Sequence, residues 1–203
     1  RHRDRSSVKR TGGTRMSSFP IARSFYVPVL RSRWQPSKTL ERAAAVALLV
    51  VSSPVLLISA IAIRALSGRS PFVAHCRVGF QGEPLWVFKL RTMWAAPARE
   101  PFRLVEYLRG GRVEFRKTKL DPRVTSRFAA FCRRHSVDEL PQLWHVVRGQ
   151  LSLVGPRPIT AREMELYYAN ATEILSARPG LTGLWQVSGR ASLTYSQRRR
   201  LDL

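Results

Sequence analysis

SVDELPQLWHVVRGQLSLVGPRP, residues 136–158, sets two adjacent acids, Asp138 and Glu139, at the mouth of an apolar repeat and ends on an arginine between two prolines. Ser136 followed by Glu139 is a capping-box pattern, and Leu140, Leu143, Val146 and Val147 follow at helical spacing. Pro141 is tolerable only near a helix start, because deeper in it would delete an intrahelical hydrogen bond. The two acids are therefore expected in the first turn, where free N–H groups and the helix dipole favour negative charge. Acids there commonly do no more than cap, and capping stays open beside any chemical role. The Gly-Pro-Arg-Pro end cannot be helix. It presets one guanidinium, Arg157, either to grip phosphate oxygens with its planar fork or to sit in an ordinary surface turn.

Composition makes the acidic pair stand out. Four Asp (positions 4, 121, 138 and 202) face 30 Arg in a chain of 203 residues with net charge +22. Residues 1–42 contribute 11 basic and 2 acidic groups, and residues 64–203 contribute 24 and 11, so the excess is spread along the chain. Such a balance implies an anionic partner: nucleic acid, anionic lipid or a phosphorylated substrate. Cys76 and Cys132 match no zinc spacing and form no disulfide framework, and the four His form no ligand pattern.

Working outward, residues 1–37 are rich in Arg and Ser and read as a flexible basic arm, with Met16 as one candidate start and no cleavable signal peptide evident. Residues 43–63, AAAVALLVVSSPVLLISAIAI, are the membrane segment, about 30 Å long if straight. Ser53 and Pro54 lie at its midpoint, where Pro interrupts the hydrogen-bond ladder and Ser hydroxyls can satisfy the freed groups. Basic residues flank both sides (Arg31, Arg33, Lys38 and Arg42; then Arg64, Arg69 and Arg77), which suits two cytoplasmic ends better than a span. A kinked re-entrant helix fits, and a straight span with a mild kink is the alternative. Residues 85–88 are β-prone, and 96–118 read as a variable linker with a Gly110-Gly111 turn. Arg123 and Arg127 follow the Asp121-Pro122 turn onto a short helix, where by pattern alone they are a solvated face. Residues 160–177 read as an amphipathic helix ended by Pro179-Gly180, and Gly183 and Gly189 bracket Trp185 in a loop able to approach a phosphate.

D-E-L-P-Q-L-W (138–144), S-L-V-G-P-R-P (152–158) and R-P-G-L-T-G-L-W-Q-V-S-G-R (178–190) together resemble the bacterial sugar transferases, the small monotopic phosphoglycosyl transferases. The resemblance runs from about Lys38 to the last residue and includes the G-x-x-G segment at 79–82 and the K-x-R-T-M strand at 89–93. The chain departs from the family pattern at His75 and Cys76, where Gln and Glu are usual. The family normally continues into further helices beyond the last residue here, so this sequence reads as truncated, which leaves an inactive scaffold as an alternative.

The resemblance implies an α+β, mainly helical fold: a kinked re-entrant membrane helix (38–67) on a small cytoplasmic catalytic domain (68–203) with short strands and amphipathic interfacial helices. It implies transfer of a phospho-sugar from a nucleotide-diphosphate sugar, UDP being usual, to polyprenol phosphate at the cytoplasmic face of the bacterial inner membrane. That step would begin exopolysaccharide or glycoconjugate assembly. Asp138 would be the nucleophile, with Glu139 assisting, and both are candidate ligands for Mg2+. Arg91, Arg123, Arg127, Arg157 and Arg190 would hold phosphate charge. A membrane-tethered basic nucleic-acid-binding protein is the other class the charge allows, but no nucleic-acid motif is present and none is expected as partner.

Overall fold

A computed structural model of the protein describes residues 38–94, 96–108, 123–167, 172–188 and 194–202. The basic arm at 1–37, the Gly110-Gly111 turn and the Asp121-Pro122 turn lie outside the described residues.

The apolar run folds as one helix, α1, Lys38–Ser67, with Pro54 inside it. Pro54 has no N–H to give the carbonyl of Val50, and the Ser53 hydroxyl donates to that carbonyl instead at 2.8 Å. Ser52 does the same for Leu49 at 3.3 Å. One stripe of α1 packs inward at two places: Ala45 and Leu49 join a core with Leu85, Val87, Leu143, Val146 and Leu151. Leu56, Ala60 and Ile63 join another with Leu90, Trp94 and Ala129. The helix is also tied at both ends. Glu41 Oε1 accepts from the Ser152 hydroxyl and the Leu153 N–H, each at 2.6 Å, and near the other end Arg64 donates to the Glu100 carbonyl at 3.0 Å. Its outward stripe, including Val51, Leu57, Ile58 and Ile61, is exposed and apolar. The helix is long and apolar enough to cross a membrane.

After α1 the chain forms β1, Phe72–Val78, and β2, Pro84–Leu90, which pair antiparallel, with Val73 opposite Lys89 and His75 opposite Val87. A third strand, β3, Val105–Leu108, pairs parallel with the other edge of β1. This corrects the expected linker over 96–118, part of which is sheet. At four residues, flanked by charges, β3 is too short to announce itself by alternation. Arg91 at the end of β2 is buried. It donates from Nε to the Ser70 carbonyl at 2.8 Å and pairs with Glu106 of β3, tying that edge strand to the sheet.

Helix α2, Arg127–Arg134, starts at Ser126, whose hydroxyl accepts from the Phe128 and Ala129 N–H groups. A 3₁₀ segment, Val137–Gln142, then runs into α3, Leu143–Val147. Strand β4, Ser152–Val154, follows, then α4, Ala161–Tyr167, and α5, Thr172–Ser176, both within the span expected to be helical. Strand β5, Gly180–Thr182, pairs parallel with β4. The expected loop around Trp185 is one helical turn, α6, Leu184–Val187, and α7, Tyr195–Asp202, comes last. The loops after β4 and before β5 interlock: the Gly155 N–H donates to Thr182 at 2.9 Å and the Gly180 N–H to Pro156 at 2.7 Å. A Cβ on Gly180 would lie 2.2 Å from the Gly155 nitrogen, so only glycine permits this crossing.

Candidate active site

The acidic pair sits in the first turn of the 3₁₀ segment, as its spacing predicts, but the capping box does not form. Ser136 is left-handed (φ 58°) and makes no side-chain cap. The Glu139 carboxylate turns to the sheet: Oε1 takes the Lys89 ammonium at 2.6 Å, and Oε2 accepts from the Gln186 amide nitrogen at 3.5 Å. A charge-assisted bond to an ammonium is the stronger choice over a neutral backbone N–H. Lys89 can reach because β2 alternates, placing Lys89 on the face that carries Leu85 and Val87.

Asp138 is buried, 9% exposed. Burial holds its carboxyl above the ordinary carboxylate range, while the Lys89 ammonium pulls it down and the neighbouring Glu139 charge pushes it up. Behind it stands Cys132 of α2, itself beside Ser59 of α1, and burial, with the Asp138 charge added, raises that thiol's pKa. Asp138 thus lies where α1, α2 and the 3₁₀ segment meet.

Beside Glu139 opens a small cleft, with Arg77, Lys89, Glu139, Arg157 and Gln186 among its lining. Arg77 comes from β1 and lies 3.6 Å from the Glu163 carboxylate. Arg157 is held by the crossed glycine loops, and its backbone N–H donates to the Asp202 carboxylate at 3.2 Å. Three cations so converge on one side of Glu139. Such a set suits a ligand with several anionic oxygens.

Of the residues singled out from sequence, the fold brings together Asp138, Glu139 and Arg157. It does not bring Arg91 to the cleft, since that guanidinium is committed to Ser70 and Glu106. Arg123 and Arg127 are exposed and outside the cleft lining, and Arg190 lies outside the described residues. Sequence reasoning missed Arg77, Lys89 and Gln186 as site residues. The available signal was a lysine in phase with the apolar side of a strand, Leu85-x-Val87-x-Lys89. His75, on the same face, is held neutral with a pKa of about 4 by burial and by Arg77, Lys89 and Arg91. Among the described residues no group of three or more His, Cys, Asp or Glu is placed to cage a metal.

The family model described as "Bacterial sugar transferase" matches residues 33–203. The chain belongs to the bacterial sugar transferase family. Among individual relatives, the exopolysaccharide production protein ExoY of Rhizobium meliloti is 39% identical over 198 residues, covering 93% of this chain and 85% of that protein. An uncharacterized sugar transferase of Haemophilus influenzae is 44% identical over 160 residues, 76% of this chain and 33% of its own length. The undecaprenyl-phosphate galactose phosphotransferase of Salmonella typhimurium is 36% identical over 168 residues, 81% of this chain and 35% of that protein. The chain therefore spans most of the first relative and about a third of the other two.

Proposed function

We propose that the chain transfers a phospho-sugar from a nucleotide-diphosphate sugar to polyprenol phosphate, through a covalent intermediate on Asp138, as the committed step of a polysaccharide pathway. The observation that carries this reading is the buried Asp138 beside a cleft lined by Arg77, Lys89 and Arg157, on a domain whose longest helix bares an apolar stripe. A carboxylate oxygen of Asp138 attacks the phosphorus that bears the sugar. The bond to the bridging oxygen breaks, and the nucleoside monophosphate leaves with its electron pair. An oxygen of polyprenol phosphate then attacks the same phosphorus, restoring the carboxylate and forming polyprenol diphospho-sugar. Arg77, Lys89 and Arg157 meet the charge on the phosphoryl oxygens in both steps.

A divalent ion fits the donor set only in one way. Two adjacent carboxylates, one already engaged by Lys89, do not make a closed cage but can complete an Mg2+ shell otherwise filled by phosphate and water oxygens. When bound, Mg2+ would neutralise the diphosphate, with Asp138 or Glu139 as its protein ligand. The acceptor side is supported by α1. Both of its ends and one stripe are held to the same domain, which favours both ends on one side of the bilayer, with lipid against the other stripe. Two relatives agree in type: one is an undecaprenyl-phosphate galactose phosphotransferase and another a UDP-glucose:undecaprenyl-phosphate glucose-1-phosphate transferase.

The test is a half-reaction with a UDP-sugar and Mg2+ but no polyprenol phosphate. Wild type should release a single UMP per active site, stop, and carry the mass of the phospho-sugar on a peptide containing Asp138. Asp138→Asn should do neither. Release that strictly requires both substrates, with no adduct, would mean direct attack by the lipid phosphate.

A further inference from the structure

The cleft holds a buried acceptor that phosphate oxygens cannot satisfy. Gln186, on α6, lines the same cleft as Arg77, Lys89, Arg157 and Glu139. Its amide orientation is set by chemistry: the Nε2 group faces a Glu139 carboxylate oxygen at 3.5 Å, which can only accept, so Oε1 is the free end. That Oε1 is buried and receives no hydrogen bond. A buried acceptor left without a donor costs roughly 1–3 kcal/mol, so the complex has reason to supply a donor. Phosphate oxygens cannot do so, because they accept. The Lys89 ammonium is engaged by Glu139, and the partner that the substrate itself can offer is an O–H or N–H.

We propose that Gln186 is a specificity-determining residue whose Oε1 accepts a hydrogen bond from one hydroxyl of the sugar being transferred. This rests on the reaction proposed above, which fixes where the sugar lies. Gln186 touches Glu139, the chain neighbour of Asp138, and Asp138 attacks the phosphorus that carries the sugar. The sugar ring is one bridging oxygen from that phosphorus. The nucleobase is a second phosphate and a ribose further on. A hydroxyl of the sugar is thus the nearest donor the substrate offers. The backbone supports the placement: Gln186 is four residues beyond Thr182, whose carbonyl is bonded to Gly155, so α6 and the Arg157 loop are positioned together. A site that hydrogen-bonds a hydroxyl strongly disfavours an analogue lacking it, because the protein group is then left buried and bare.

The experiment uses the full chain in lipid nanodiscs with undecaprenyl phosphate and Mg2+, reading UMP release. UDP-glucose and UDP-galactose are compared first, then the monodeoxy derivatives of the better donor, with wild type and Gln186→Met. Met matches Gln in length and removes the acceptor oxygen. In wild type, deleting one particular hydroxyl should lower kcat/KM by about tenfold to a hundredfold. Gln186→Met should lose a similar factor on the parent sugar and discriminate against that same deoxy sugar by less than about twofold, the coupling expected of direct partners. Equal discrimination by both proteins at every position would overturn the assignment. So would coupling that appears with N3-methyl-UDP-sugar instead, which would put the nucleobase at Gln186. If Gln186→Met fails to fold, uniform rates of wild type on all the deoxy sugars would still sink the proposal. Wild type that turns over no UDP-sugar, yet is folded and lipid-bound, would sink the reaction itself, a result distinct from turnover without hydroxyl discrimination.

Discussion

At Asp138 burial and an adjacent ammonium act in opposite directions, and the sign of the net effect has two measurable consequences. Its native pKa lies above the ordinary 3.8, so between those values the native chain holds a proton that the unfolded chain has lost. Unfolding free energy therefore falls as pH rises through that window and stays lower above it. Asp138→Asn removes the charge, and its melting temperature should exceed that of wild type at pH 7. The gap should close as pH falls below about the ordinary carboxylate value. The proposed attack by Asp138 needs the ionised form, so the acid limb of kcat/KM should sit above the ordinary carboxylate range; a limb at or below it would contradict the burial. Arg157 lends itself to a sharper substitution. Arg157→Lys keeps the charge but loses the planar fork, and turnover should drop more than about tenfold, about 1.4 kcal/mol of barrier. Wild-type rates in that variant would reduce Arg157 to a turn residue. The same scale shows why the site was only half legible. Among the described residues the pattern Ser/Thr-x-x-Glu/Gln occurs at Ser136, Thr160 and Thr194. At Thr160 and Thr194 it forms reciprocal boxes with Glu163 and Gln197. At Ser136 it does not, because Lys89, far away in sequence, outbids the local backbone for Glu139. A local rule fails where a distant cation intervenes, and local pattern alone does not contain that cation.

Among the elements, the β4–β5 ribbon depends on a residue outside it. Glu41, in the first turn of α1, holds the Ser152 hydroxyl and the Leu153 N–H, and β4 leads directly into Gly155 and Arg157. Glu41→Ala should destabilise the protein by about 1–3 kcal/mol and lower turnover through a displaced Arg157. Glu41→Gln, which keeps one acceptor oxygen, should recover part of both. Loss of stability with unchanged turnover would separate the strut from the site. The long helix and the strand at 85–88 were visible as apolar runs, and the helical character around residue 140 as periodicity, since burial on one face imprints the spacing. Strand β3 and the single turn at 184–187 were not. Each is four residues long, too few to repeat a pattern, and is held by its neighbours: β3 by pairing with β1, the turn by the crossing of Gly155 and Gly180.

For the molecule as a whole, the decisive issue is which way α1 lies. With both ends tied to one domain, single cysteines at positions 39 and 66, both exposed, should resist an impermeant thiol reagent applied outside intact cells and react in inverted vesicles, after Cys76 and Cys132 are replaced. Labelling at one end only would establish a span. The central Ser53 bond to Val50 adds a second expectation. Replacing Ser53 by Leu and Pro54 by Ala restores an ordinary ladder there, and a fraction of molecules should then expose one end of the helix to the outside.

Ser59 and Ile63 stand at the back of the same corner that shelters Asp138. The helix that bares the apolar stripe is therefore also a wall of that corner, and the dryness that raises the carboxyl's pKa is partly supplied by it. Cutting away residues 38–67 to obtain a water-soluble form would not yield the same catalyst freed of its membrane. It would open that corner to solvent and weaken the burial that holds the Asp138 carboxyl up. Adding lipid back could not restore what was lost, because the missing part is protein.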